Sequence, residues 1–233
     1  MSHRLPSRGL SPAAVLLLLV LAGCSGGGGG GSTPEPDATA ILPAGWTHVT
    51  VEEEGFSIAV PSGWQELSSE DLAESGVIDA MASANPAIAD TLAQAQAAIE
   101  SGQIAYFAFD LEPDDTSVAF AANVNVINGG PIGDGDTAES AAEEMAAGVA
   151  SQITVNGEVE TDTVTLPAGE AGLVAYEWTV PLPDGTSADI AVRQYAVIVD
   201  GEAFVLSFSA PADTFAGEYE RTFERIAESF ATE

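Results

Sequence analysis

The chain has 233 residues, 36 of them acidic against only five Lys and Arg, for a formal net charge of −31 at pH 7. So negative a surface repels nucleic-acid phosphates, whose recognition requires clustered Lys and Arg, and nucleic-acid partners are excluded. Cys24 is the single cysteine, so no intramolecular disulfide can form and the core alone must hold the fold.

Residues 1–23 read as a leader. Arg4 and Arg8 supply a basic start, and an apolar stretch from Ala13 to Ala22 runs into Leu21-Ala22-Gly23-Cys24. That stretch is too short to span a bilayer, which takes ~20 apolar residues, and it stops at small residues as cleavage sites do. Leu-Ala-Gly-Cys resembles the lipobox of bacterial lipoproteins, in which the cysteine becomes the first residue and carries the lipid. Cys24 is therefore the expected lipidation site and the membrane the expected partner through that anchor. Buried acyl chains contribute ~0.8 kcal/mol per methylene, and stable anchoring takes more than one chain, as diacylation provides.

Residues 24–44 form the expected tether. Gly26 to Gly31 and the Pro/Ser/Asp stretch after them offer nothing apolar to bury, and their reach is roughly 24 Å for a flexible chain of this length. The glycine run lacks the Gly-Lys-Ser/Thr of a phosphate loop. Beyond it, residues 45–233 suit one domain. All 36 acidic residues lie beyond the leader, against Arg193, Arg221 and Arg225, with no lysine anywhere. They are spread along the chain as a solvated surface is, with no single acidic tail.

Within the domain, His48 to Val51 reads as a strand, followed by a Glu52-Glu-Glu-Gly55 turn and an alternating strand from Phe56 to Val60. Pro61-Ser62-Gly63 ends it and leaves Trp64 to fold back as a lid on the core. Apolar residues at threes and fours predict two helices over Ser68 to Ser101, divided at Pro86. Strands follow at Ile104 to Asp110 and Val118 to Ile127, the latter offering Phe120, Val124 and Val126 to one face. A loop from Gly129 to Asp136 leads to a capping box, Asp136 to Glu139, that opens a helix through Ile153.

Four strands then complete an antiparallel meander: Glu158 to Leu166, Glu170 to Val180, Ser187 to Val199 and Ala203 to Ala210. Asp184-Gly185 and Asp200-Gly201 between them are hairpin signals, because two-residue turns need positive φ. A final helix, capped by Asp213, carries Phe215, Tyr219, Phe223, Ile226 and Phe230 as one apolar stripe facing a sheet.

Residues that carry chemistry are few. His48 is the only histidine after the leader and Cys24 is taken by the anchor, so no nucleophile–base pair presents itself. One histidine also falls short of a zinc or iron site. Calcium is weighed at Asp134, Asp136 and Glu139 and at Asp110, Glu112, Asp114 and Asp115. As an EF-hand, the first cluster puts Glu139 at the obligatory glycine and Met145 at the final ligand, so the loop cannot close on the ion. Among so many acidic residues, neighbouring carboxylate pairs carry no signal for glycoside hydrolysis. Trp46, Trp64, Trp178, Tyr176 and Tyr195 read first as core. No catalytic residue, metal or cofactor is assigned.

The order of short motifs resembles a known family: Gly55-Phe56-Ser-Ile-Ala-Val-Pro61-Ser-Gly-Trp64 near the start, and Phe204-Val-Leu-Ser-Phe208 with Pro211 leading into Phe223-Glu-Arg-Ile226-Ala-Glu-Ser229-Phe230. They are similar to the PsbP-like superfamily, including LpqN-type lipoproteins. The resemblance implies an α+β fold: an α/β/α sandwich with a mainly antiparallel sheet of about six or more strands and helices on both faces. It brings no catalytic residues, and the matching Phe56, Pro61, Trp64, Ile226 and Phe230 are packing positions. The split helix over Ser68 to Ser101 and the scarcity of basic residues depart from most relatives. The expectation is a non-enzymatic accessory or interaction lipoprotein on the extracytoplasmic face of a membrane, with an envelope protein as partner. The alternative is a carrier or sensor of a small apolar or cationic ligand, held between the helices of residues 68–101 and the sheet.

Overall fold

Alternation of side chains along short extended segments decides most of the observed elements. The computed structural model describes residues 44–67, 104–110, 120–133, 135–182 and 185–232. The two helices expected over Ser68 to Ser101 and the acidic turn at Asp114-Asp115 lie outside the described residues.

β1 (Trp46–Val51) and β2 (Phe56–Pro61) pair antiparallel across a 3-10 turn, Glu52–Glu54, closed by Gly55 at φ 68°. Every residue of β2 up to Val60 is buried, with Phe56, Ile58 and Val60 in the main core, and a C-terminal strand, β10 (Ala231–Thr232), pairs with Phe56 and Ser57 on the other side. These three strands form a small sheet of their own, in the order β1-β2-β10.

The remaining strands build a seven-stranded sheet: β3 (Gln65–Leu67), β4 (Tyr106–Phe109), β5 (Asn123–Pro131), β6 (Glu160–Leu166), β7 (Gly169–Pro181), β8 (Ser187–Val199) and β9 (Glu202–Pro211). Its order is β3-β4-β5-β9-β8-β7-β6, with every pairing antiparallel. β6 to β9 form the expected meander. The turn between β8 and β9 is the expected Asp-Gly hairpin, with Asp200 at φ 51° and Gly201 at φ 83°. The class is α+β with a mainly antiparallel sheet.

Four local expectations are corrected. Gly129-Gly130-Pro131 does not begin a loop: β5 runs on to Pro131 through a bulge between Asn128 and Gly130. The Asn128 side-chain oxygen accepts the Gly130 N–H at 2.9 Å, and Gly130 takes φ 76°, so the extra residue is absorbed without ending the strand. Phe120 does not share a face with Val124 and Val126, because β5 starts only at Asn123. Phe120 packs instead with Ile190 and Val192.

The cap of helix α1 (Ala138–Gln152) sits one residue later than expected. The Thr137 hydroxyl accepts the Ser140 N–H at 3.1 Å, and the Ser140 hydroxyl accepts the Thr137 N–H at 2.8 Å. Asp136 turns back to accept the Gly133 N–H at 2.7 Å and is not the cap.

The C-terminal helical run also starts without the expected Asp213 cap. It has three parts: a short α2 (Ala212–Thr214) with Pro211 at the N-cap and no side-chain cap bond, a π-turn (Phe215–Tyr219), and α3 (Glu220–Ser229). The Glu220 N–H reaches the Phe215 carbonyl, the i→i+5 bond of a π-turn. The aromatic stripe survives this insertion. Phe223 lies 5.6 Å from Phe215, 5.7 Å from Tyr219, 5.0 Å from Phe208 and 6.2 Å from Trp64 between ring centroids. Trp64 is thus the lid its position promised.

Two clusters divide the sheet's residues. Tyr195, Val197, Leu206, Phe208, Val124 and Val126 pack with Phe223, Ile226 and Phe230. Ala196, Val205 and Val174 pack with Ala142 and Met145 of α1. Close approach of α1 is possible because Gly172 stands beneath it. A Cβ there would collide with the Ala138 carbonyl and lie 2.9 Å from the Ala142 nitrogen.

Candidate functional site

Residues directly opposite in antiparallel strands share a face, as do residues two apart along one strand. On the face of α1, the register therefore lines up Phe107, Asn125, Ser207, Gln194 and Val174 in one row. The next row is Phe109, Asn123, Ser209, Val192 and Tyr176. A third row, Ile127, Val205, Ala196 and Gly172, passes toward α1.

The first two rows carry five polar side chains in a buried setting: Asn125 is 1% exposed, Asn123 3%, Ser207 6%, Gln194 7% and Ser209 9%. Their side-chain amides use few hydrogen bonds within the protein. Gln194 Nε2 donates to Ser207 Oγ at 2.9 Å, and Asn123 Nδ2 to the Ala121 carbonyl at 3.1 Å. Asn125 Nδ2 and Oδ1, Asn123 Oδ1 and Gln194 Oε1 have no partner among the described residues. Interiors leave few polar atoms unpaired, and each costs about 1–3 kcal/mol. All four lie within two adjacent rows.

A second feature opens where β7, β8 and β9 end against α2. A cleft of about 690 Å³ is lined by Phe120, Glu177, Ala188, Asp189, Pro211 and residues 212–214. Beside it, Asp189 and its register partner Thr179 hydrogen-bond at 2.6 Å, and Asn156 joins Asp189 at 3.1 Å. The Asp189 carboxylate is thereby held in place, but all three side chains are exposed. No group of three or more His, Cys, Asp or Glu poised for a metal occurs among the described residues.

Arg193 pins α3 to β8. Its guanidinium donates to Glu220 at 2.9 Å, approaches Glu224 at 3.5 Å, and lies 5.4 Å from the centre of the Phe215 ring. Burial opposes its charge, yet the Glu220 hydrogen bond and the neighbouring Tyr195 hold its pKa above the usual arginine value. Burial likewise raises Tyr195, and the Arg193 charge offsets part of that rise. Tyr176 is pushed up to about 12 by burial. Tyr219 is raised by burial and then by Asp110, whose carboxylate accepts its hydroxyl at 3.1 Å.

The residues singled out in the sequence are mostly not brought together. His48 is exposed on β1 opposite Ala59. Asp136 belongs to a turn and Glu139 to the exposed face of α1. Asp110 serves Tyr219. Cys24, Glu112, Asp114, Asp115, Asp134 and the place proposed for a ligand along residues 68–101 lie outside the described residues. Trp64 and Tyr195 join the main core, with Trp46 packed at its margin, while Trp178 and Tyr176 pack around Phe120 and Ile190. The amide rows escaped sequence reading, because polar residues at alternate strand positions, as in Asn123-Val-Asn125, normally signal a solvent face.

No protein-family model and no curated protein matches the chain. Solved structures do. The solution structure of cyanobacterial PsbP (CyanoP) from Synechocystis sp. PCC 6803 matches at 16% identity and TM-score 0.46, over 87% of this chain and 98% of that one. LpqN, involved in cell envelope biogenesis of Mycobacterium tuberculosis, matches at 16% identity and TM-score 0.46, over 81% and 91%. The Ran-binding protein Mog1p of Saccharomyces cerevisiae matches at 10% identity and TM-score 0.47, over 80% and 95%. The first two are of the PsbP-like kind that the sequence motifs resemble.

Proposed function

We propose that the chain is an extracytoplasmic lipoprotein, anchored through Cys24, whose domain serves as a non-enzymatic accessory or interaction module of the cell envelope. The observation that carries this reading is Leu21-Ala22-Gly23-Cys24, set between a basic-apolar leader and a glycine-rich tether. Small residues before the cysteine admit the peptidase, and the tether lets the domain stand clear of the bilayer. In the α/β/α reading of the domain, α1 and α3 cover opposite faces of the seven-stranded sheet. Support comes from alternation: Ala196 and Val205 pack with α1, and their neighbours Tyr195, Val197 and Leu206 pack with α3. The non-enzymatic part rests on the sequence, where one histidine remains beyond the leader and the sole cysteine is committed to the anchor.

The test is metabolic labelling with palmitate in a bacterial host, followed by membrane fractionation and mass analysis of the N-terminal peptide. The expected result is a labelled, membrane-bound chain beginning at Cys24, with label and processing lost in Cys24→Ala. An unlabelled chain with an intact leader would overturn the reading.

A further inference from the structure

We propose that the outer edge of β6 is a docking strand, taking an extended segment of a partner protein that carries lysine or arginine at alternate positions. This deepens the interaction reading above and rests on it, though not on the lipid at Cys24. β6 closes one end of the seven-stranded sheet, and no strand pairs with its outer side among the described residues. It keeps unbroken register with β7, from Glu160 opposite Ala175 to Leu166 opposite Gly169. Glu160, Thr161, Asp162, Thr163 and Thr165 are all exposed, so the edge is open to solvent.

Open edges are usually blunted by proline, lysine, a bulge or shortness. β3, at the opposite end of the sheet, has only three residues. β6 has seven, Glu-Thr-Asp-Thr-Val-Thr-Leu, and uses none of these devices. One bond shows which way its free groups point: the Asp162 carboxylate accepts the Thr163 N–H at 2.8 Å, so that N–H faces away from β7. Backbone groups alternate in direction along a strand, so Thr161 and Thr165 turn theirs outward as well. They are ladder positions for one more strand, in a mode where main-chain bonds give affinity and side chains give specificity.

Charge selects the occupant. Glu160 and Asp162 stand two apart and therefore on one face, where the side chains of a paired strand come opposite them and unlike charges stabilise while like charges repel. A second copy of this chain, at a formal charge of −31, brings the wrong sign. A basic segment brings the right one, and by engaging Asp162 it releases the Thr163 N–H to the ladder. β1, the other long open edge, has no carboxylate within its six residues to make this selection.

The experiment titrates the purified full chain with a short synthetic peptide in which lysine alternates with valine and threonine, read by NMR and hydrogen exchange. Saturable shifts and slowed exchange are expected at the Thr161, Thr163 and Thr165 amides, and neither with the same peptide broken by a central proline. Glu160→Lys combined with Asp162→Lys is expected to weaken the lysine peptide about tenfold and to admit a glutamate counterpart. Glu143→Lys combined with Glu144→Lys, on the exposed face of α1, makes the same change in net charge and is expected to bind as the parent does. Both double variants are first checked for the parent's Tm. The proposal is overturned if the proline peptide binds equally well, if the three threonine amides exchange as fast with peptide as without, or if the two double variants weaken binding alike, which would reduce it to bulk charge. None of these results bears on palmitate labelling at Cys24, so a failed docking strand leaves the lipoprotein reading standing.

Discussion

Gly172 shows how much one missing side chain decides. Glycine within a strand normally weakens it, but here its bare Cα lets the first turn of α1 rest on the sheet, and an added Cβ would strike the helix backbone. Backbone cannot rotate away as a flexible side chain can, so α1 must lift. Gly172→Ala is expected to cost about 2 kcal/mol, a fall of about 4–8 °C in Tm for a domain of this size; an unchanged Tm by calorimetry would refute the close contact. In sequence, Glu170-Ala-Gly172-Leu gives no sign of this, because the demand for glycine comes from a helix some thirty residues earlier.

At the level of elements, the C-terminal helical run was readable where spacing alone mattered and misread where neighbours intervened. The apolar stripe from Phe215 to Phe230 packs as its spacing implies, yet the run starts uncapped at Pro211 and passes through a π-turn at Phe215–Tyr219. The Tyr219 hydroxyl ties this run to Asp110 at the end of β4, and its pKa is raised by burial and by that carboxylate. Tyr176 on β7 is pushed from 10.0 up to about 12 by burial. With both raised, the folded state keeps protons that the unfolded chain releases above pH ~10, so stability is full below that pH and falls as pH rises through the folded values. Urea unfolding is expected to give a ΔG that is flat to about pH 9 and declines beyond 10, with a shallower decline in Tyr219→Phe. A ΔG that held or rose through this range would contradict the arrangement.

Over the whole molecule, charge opposes the fold that the core sustains. Arg193 is engaged with Glu220 and Glu224, leaving Arg221 and Arg225 as the only other cations beyond the leader to face 36 acidic residues. Repulsion of this kind is screened over about 8 Å at physiological ionic strength and over about 3 Å at 1 M. Tm is therefore expected to rise steadily with sodium chloride from low salt, and equally with potassium chloride because the effect is screening. A salt-independent Tm would mean that the acidic groups are too dispersed to repel one another.

Local chemistry alone dictates the strand periodicity from Phe56 to Val60, the Asp200-Gly201 hairpin and the apolar face of the last helix, and the proposed leader and Cys24 anchor are read from the same kind of local pattern. Each depends on residues close together in the chain. Long-range packing instead sets β2 between β1 and β10, makes Thr137 and not Asp136 the cap of α1, and buries Asn123, Asn125 and Gln194. Those outcomes follow from which strands become neighbours across long stretches of chain, and burial is a property of the neighbours, not of the residue itself.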